Sequence, residues 1–157
     1  MVANANELVR QPRVFERERK QAAAKTGVLD FTVVSGEVWD QTVAGFDAVA
    51  QEQLYVFAKS RWPRVKCEPN LFFVDGELAG GVLMMIQPFP LKLAALAVAK
   101  WGPVLRDAQS PDAGRIYARM IETMIAHYAD ERAMMLSVLP RASIGKENMA
   151  IKYLQAR

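Results

Sequence analysis

PNLFFVDGELAGGVLMMIQP, residues 69–88, is the stretch from which the fold can be read. Two apolar runs, 71–74 and 77–87, flank Asp75-Gly76. An Asp-Gly pair takes the positive φ angles of a two-residue hairpin turn at little steric cost, so the runs are expected to pair antiparallel. Gly80-Gly81 in the second run marks a bulge or the close approach of another backbone. LKLAALAVAK (91–100) follows as the next strand, and its small residues leave room for a helix or a ligand. This hairpin is expected at the centre of the sheet.

Working back towards the N-terminus, FTVVS (31–35) is β-branched and short, hence a strand that Gly36 breaks. EVWDQTVAGFDAVA (37–50) places Val38, Trp39, Val43 and Phe46 at helical spacing. QEQLYVFAKSRWP (51–63) gives a second short helix with Leu54, Tyr55 and Ala58 on one face, ended by Pro63. Residues 1–29 lack an apolar face and read as a charged tail, a frayed helix or a basic arm that touches a membrane or an RNA. Residues 30–157 form the domain.

Working forward, SPDAGRIYARMIETMIAHYADERA (110–133) is a long helix. Ser110 is its expected N-cap, Pro111 its first position, and Asp112 suits the positive end of the helix dipole. Ile116, Met120, Ile121, Met124, Ile125 and Tyr128 form its buried stripe. MMLSVLP (134–140) is a strand closed by Pro140, and SIGKENMAIKYLQAR (143–157) begins another helix. The order β-α-α-β-β-β-α-β-α predicts an α/β fold, a mostly antiparallel sheet flanked by helices with a crossover helix before the last strand.

The totals fit one domain: 157 residues, 52% hydrophobic and 24% charged. The net charge of +3 is too weak and too spread for a nucleic-acid footprint. A lone Cys67 excludes an intramolecular disulfide and a cysteine-based zinc site; no metal site is expected, and a reducing cytoplasm is the expected compartment. Residues 78–100 are apolar enough to weigh as a membrane span, but Gln87, Pro88, Pro90 and Lys92 cut them, and two strands joined by a proline-containing turn account for them better.

Familiar catalytic patterns are missing: no glycine-rich phosphate loop follows a strand, and no Gly-x-Ser-x-Gly elbow occurs. His127 reads as a surface or boundary residue, Cys67 as a buried inert thiol, and Asp75 as a turn residue. The catalytic residues are therefore unknown.

The element order resembles the GNAT acetyltransferase fold. In that family the loop after the fourth strand carries Gln/Arg-x-x-Gly-x-Gly/Ala, whose backbone N–H groups hold the pyrophosphate of acetyl-CoA at a helix N-terminus. Here that loop reads KWGPVLRDAQSPDAGR (100–115), without the pattern and with Pro103 lacking a donor. Acetyl-CoA is thus an unlikely cofactor, and no cofactor is expected. The Gly102-Pro103 corner is similar instead to the Arg-Gly-Pro corner of the Fem family. So are Trp39-Asp40, the series Gln51, Tyr55, Lys59 with Trp62-Pro63, the Asp-Gly hairpin leading into a Gly-Gly strand, and a last strand closed by proline. Trp101 stands where arginine is usual, Val98 where an aromatic often sits, and Tyr55 replaces a tryptophan.

The resemblance spans about residues 31–140. It implies the N-terminal, precursor-binding half of an aminoacyltransferase that adds an amino acid from aminoacyl-tRNA, its co-substrate, to a peptidoglycan precursor. Lys59 would contact an acidic substrate group as an exposed residue, with Trp101 and Gly102 as further substrate-binding residues on a corner that throws the chain outward; the alternative for that corner is a rigid turn with Trp101 capping the core. The chain is expected to lack the fold's last strands and the second domain, to be inactive alone, and to associate with itself or with a missing C-terminal half. Peripheral membrane contact is a further expected partnership. A GNAT-type N-acyltransferase of a small molecule and a non-catalytic binding or assembly module are the alternatives.

Overall fold

Asp75 and Gly76 both take positive φ, 53° and 79°, and close a two-residue turn between β2 (Lys66–Val74) and β3 (Glu77–Pro88). The computed structural model describes residues 29–90 and 94–141. β2 and β3 pair antiparallel from Val74↔Glu77 to Lys66↔Ile86, with a register shift between Phe72 and Phe73. Phe72 faces Gly80 and Phe73 faces Leu78, so Ala79 is the extra residue of a bulge. Both readings of the glycine pair hold. A Cβ on Gly80 would stand 2.5 Å from the Val104 carbonyl, and one on Gly81 would stand 2.5 Å from the Trp39 ring. Gly81→Ala is therefore expected to destabilise by about 1–3 kcal/mol through overpacking. An unchanged thermal melt would show that the Trp39 ring can yield without cost.

The sheet runs β1-β2-β3-β4-β6, with β3 at its centre. β1 (Leu29–Val33) pairs with β2, β4 (Ala95–Lys100) is antiparallel to β3, and β5 (Val104–Leu105) also pairs with β3. β6 (Met135–Leu139) is parallel to β4, a pairing that requires a crossover. α3 (Ala113–Met124), extended by π-helical Ile125–Glu131, supplies it. The apolar stretch 78–100 is thus two strands, and among the described residues no helix is long and apolar enough to cross a membrane.

Two cores lie on the two faces. α3 packs Tyr117, Met120, Ile121, Met124 and Tyr128 on Phe72, Val82, Met84, Ile86, Ala97 and Ala99. The small residues of β4 leave room for a helix, as expected. α1 (Gly36–Val43) and α2 (Tyr55–Arg61), joined through the 3₁₀ turn Gln51–Gln53, cover the other face with Trp39, Val43, Phe46 and Ala58 against Leu71, Leu83 and Val104.

Several local expectations shift. The first strand begins at Leu29, inside the stretch read as tail, and Ser35 caps α1 by accepting the Val38 N–H instead of ending the strand. Val38 is exposed, because Trp39 and Val43 already turn the buried side of this short helix inward. The long helix starts at Ala113: Ser110 accepts the Asp112 and Ala113 N–H groups in a turn that holds Pro111 outside it. Ile116 and Ile125 are only partly buried, while Ala113 and Tyr117 are buried in their place. The widening to π geometry after Met124 changes the phase of the stripe. The charged tail through residue 28 and the helix expected from Ser143 lie outside the described residues.

Candidate functional site

The corner after β4 is a defect in the sheet filled by a side chain. β4 pairs with β3 from Pro88↔Ala95 to Met84↔Ala99, and β5 resumes the pairing only at Gly81↔Val104. Opposite the gap stand Lys100, Trp101, Gly102 and Pro103, with Trp101 at φ 58° and a cis Gly102-Pro103 peptide. The gap leaves Leu83 N–H and the Lys100 carbonyl without each other. The Gln53 amide stands between them, its Oε1 accepting from Leu83 N–H (2.9 Å) and its Nε2 donating to the Lys100 carbonyl (2.5 Å). Trp39 Nε1 donates to the Gln53 carbonyl at 2.6 Å, and Gln53 is fully buried. A Cβ on residue 102 would stand 3.0 Å from that amide, which is why the position is glycine.

The sequence reading of this corner is therefore corrected. The chain is not thrown outward; it returns to β3 through Val104–Leu105. Trp101 N–H donates to the Leu139 carbonyl at 2.7 Å, which ties the corner to the end of β6, while the side chain stays 36% exposed. Gly102 is buried beneath Gln53. Lys100, at the start of this corner, meets the residue that follows α2: its Nζ lies 4.8 Å from the centroid of the Trp62 ring, and Phe57 meets that ring edge-on at 6.2 Å.

Lys59, on α2, is half-buried, not the exposed residue that was expected. Its Nζ donates to the carbonyls of Pro63 and Val65, both at 3.2 Å. The ammonium thus holds the turn into β2 and keeps one N–H for another acceptor. Lys59→Ala is expected to destabilise by about 1 kcal/mol, a melting shift of a few degrees. An unchanged melt would mean these bonds contribute nothing net. Asp40, beside Trp39, caps α2 by accepting the Tyr55 and Val56 N–H groups at 2.6 and 3.0 Å.

Five backbone donors of the loop before α3 are in use. Arg106 N–H donates to the Ala79 carbonyl, Ala108 N–H to Asp47 Oδ2, Gln109 N–H to Asp107 Oδ1, and Asp112 and Ala113 N–H to Ser110. Two of these acceptors are carboxylates. A cavity of about 500 Å³ opens beside it, lined by Asp75, Glu77, Arg106, Asp107, Asp112 and Arg115 among others; Lys59, Trp101 and Gly102 are not part of its wall.

A second polar cluster lies under the π-helical turn. Glu68 accepts from Arg132 (2.6 Å), Tyr128 (2.8 Å) and Lys66 (2.9 Å), and Asn70 donates to Tyr128 Oη at 2.8 Å. Burial raises the Glu68 carboxyl, but the bonds from Arg132, Lys66 and Tyr128 outweigh it and hold the group down at about 2. Burial first, then the Glu68 carboxylate, pushes the Tyr128 phenol well above its ordinary value. Burial also raises the Cys67 thiol, against a smaller opposing pull from Lys59. His127 is a boundary residue, as read: its Nδ1 lies 3.1 Å from Glu131, and Arg132 faces its other nitrogen at 3.3 Å. No three His, Cys, Asp or Glu side chains converge for a metal among the described residues.

Gln53 and Glu68 were not picked out from the sequence. Nothing distinguishes Gln53 from its neighbour Gln51 until the sheet defect is known. Glu68 carried a weak signal, a carboxylate set in an apolar strand.

This architecture is the GNAT acetyltransferase fold. Similar solved structures include FemX, a Fem family aminoacyltransferase, at 17% identity and a TM-score of 0.59, over 81% of this chain and 31% of that one. A ribosomal-protein-alanine N-acetyltransferase from Brucella melitensis biovar Abortus is similar at 19% identity and a TM-score of 0.53, over 82% of this chain and 89% of that one. A possible acetyltransferase from Clostridium difficile follows at 10% identity and 0.51, covering 82% and 89%. No family model matches the chain, and no curated protein does.

Proposed function

We propose that this domain binds the acceptor in a Fem-type transfer, in which an amino acid passes from aminoacyl-tRNA to the peptide of a peptidoglycan precursor. The observation that carries the reading is the loop before α3. In a GNAT fold its N–H groups would hold a pyrophosphate; here those of Arg106, Ala108, Gln109, Asp112 and Ala113 are taken by the chain's own oxygens, with Asp47 and Asp107 placing negative charge among them. That arrangement disfavours acetyl-CoA. The exposed Trp101 ring and the remaining Lys59 N–H are the groups this domain offers to a precursor, and Gly102 shapes the corner from beneath. The acceptor amine would attack the aminoacyl ester carbon, the new amide bond would form as the ester C–O bond to the tRNA ribose breaks, and the ribose oxygen would leave with the amine proton. Positioning and electrostatics suffice for such a step, with no covalent enzyme intermediate.

Calorimetric titration separates the readings. Nucleotide-linked precursor is expected to bind, more weakly in Trp101→Ala, and acetyl-CoA is not. Low-micromolar acetyl-CoA affinity would overturn the reading in favour of an N-acyltransferase of a small molecule. Binding of neither would leave a non-catalytic assembly module.

A further inference from the structure

One end of the sheet collects cations and protruding apolar side chains. Lys66 opens β2 opposite Ile86, Ala95 opens β4 opposite Pro88, and Met135 opens β6 beside Leu96. The α2–β2 loop, the β3–β4 turn and the start of β6 therefore share this end. Arg61 ends α2, Arg64 lies in the loop and Lys66 begins β2, and no acidic residue occurs between Glu52 and Glu68. Arg61 and Arg64 are exposed, and neither guanidinium has a partner among the described residues. The Lys66 side chain is 64% exposed even while bound to Glu68. Phe89 and Met135 are 36% and 61% exposed at the same end. The carboxylates nearby belong to the α3 side: Glu68 is buried under Arg132 and Lys66, Glu131 pairs with His127, and Asp130 precedes it on the π-helical turn.

We propose that this end of the domain docks on an anionic lipid bilayer, with Phe89 and Met135 entering the interface and Arg61, Arg64 and Lys66 meeting the headgroups. Apolar side chains beside exposed cations, two of the three unpaired among the described residues, are what an interfacial contact requires: area to bury and charge to attract. A nucleic acid fits less well, because tracking a strand needs successive free aromatic faces, and of Phe89 and Trp62 only the first offers one: the Trp62 ring is already engaged by Lys100 and Phe57. The inference does not rest on the transfer reading, since bilayer binding needs no substrate.

The test is co-sedimentation of the full chain with phosphatidylcholine vesicles, alone or mixed with phosphatidylglycerol, and a parallel titration with a single-stranded RNA oligonucleotide. Binding is expected only to the anionic vesicles and should fall in high salt. Arg61→Gln with Arg64→Gln should weaken it roughly thirtyfold. Phe89→Ser should weaken it further, and none of these exposed changes should shift the melting temperature. Binding to neutral vesicles equally well, binding to no vesicles, or full binding by the double variant would overturn the proposal. Variant-sensitive binding to the RNA but not to vesicles would overturn it in favour of a nucleic-acid surface.

Discussion

Gln53→Leu is expected to lower the melting temperature by roughly 10–15 °C. Gln53 is fully buried and is the shared partner of Leu83 N–H and the Lys100 carbonyl. Leucine has nearly the same bulk but neither polar atom, so the buried Leu83 N–H and the part-buried Lys100 carbonyl would both be left unpaired. Each such group costs about 1–3 kcal/mol, or about 3–4 kcal/mol for the pair, which in a domain of this size is a shift of that order. Gln53→Glu is the sharper probe. A carboxylate can still accept from Leu83 N–H but cannot donate to Lys100, so at neutral pH the loss should be comparable. Below the carboxyl's own pKa the protonated form regains a donor, and part of the stability should return. If Gln53→Leu melts within about 2 °C of wild type, the amide does not support the corner.

Acid should expose the other buried cluster. The Glu68 carboxyl titrates at about 2 in the fold against 4.5 as its ordinary value. Between those values the unfolded chain binds the proton more readily, so stability rises with pH there. The contribution is fully present above about 4.5 and disappears as pH falls towards 2. Wild type should therefore lose melting temperature through that window, whereas Glu68→Gln should start lower at neutral pH and lose less. Arg132→Ala removes the shortest bond to the carboxylate, at 2.6 Å, while Lys66 and Tyr128 remain. It is expected to cost about 2–4 kcal/mol at pH 7, because a buried charge is left short of a partner. Parallel acid profiles for wild type and Glu68→Gln would show that another group governs acid stability.

The two clusters differ in how far they could be read from the residues. Trp39, Gly102 and Pro103 were legible: an aromatic at helical spacing, and a Gly-Pro pair after a small-residue strand, each mark a constraint. Lys59 was legible as a position but not in its role, since a lysine near a helix end can face solvent or reach back to carbonyls, and only the path of residues 62–65 makes it the latter. Tyr128 was placed correctly on a buried stripe, but its hydroxyl partner is 60 residues away in β2.

What the chain determines locally is the hairpin at Asp75-Gly76, the strand that follows it, the helix built around Met120 and Met124, and from their order the GNAT-like layering. These follow from φ preference, from side-chain period and from the need to bury one face of each element, all of which act over a few residues. Tertiary structure alone decides that β4 breaks away from β3 for the length of four residues, and that Gln53 is the residue that fills the break. It also decides that Glu68 is held by Arg132 and Tyr128, and that the Ala108 and Gln109 N–H groups before α3 are already bound to carboxylates. The physical reason is the same in each case. A buried polar group must find a partner, local sequence states the need, and only the packing of distant segments supplies the atom that meets it.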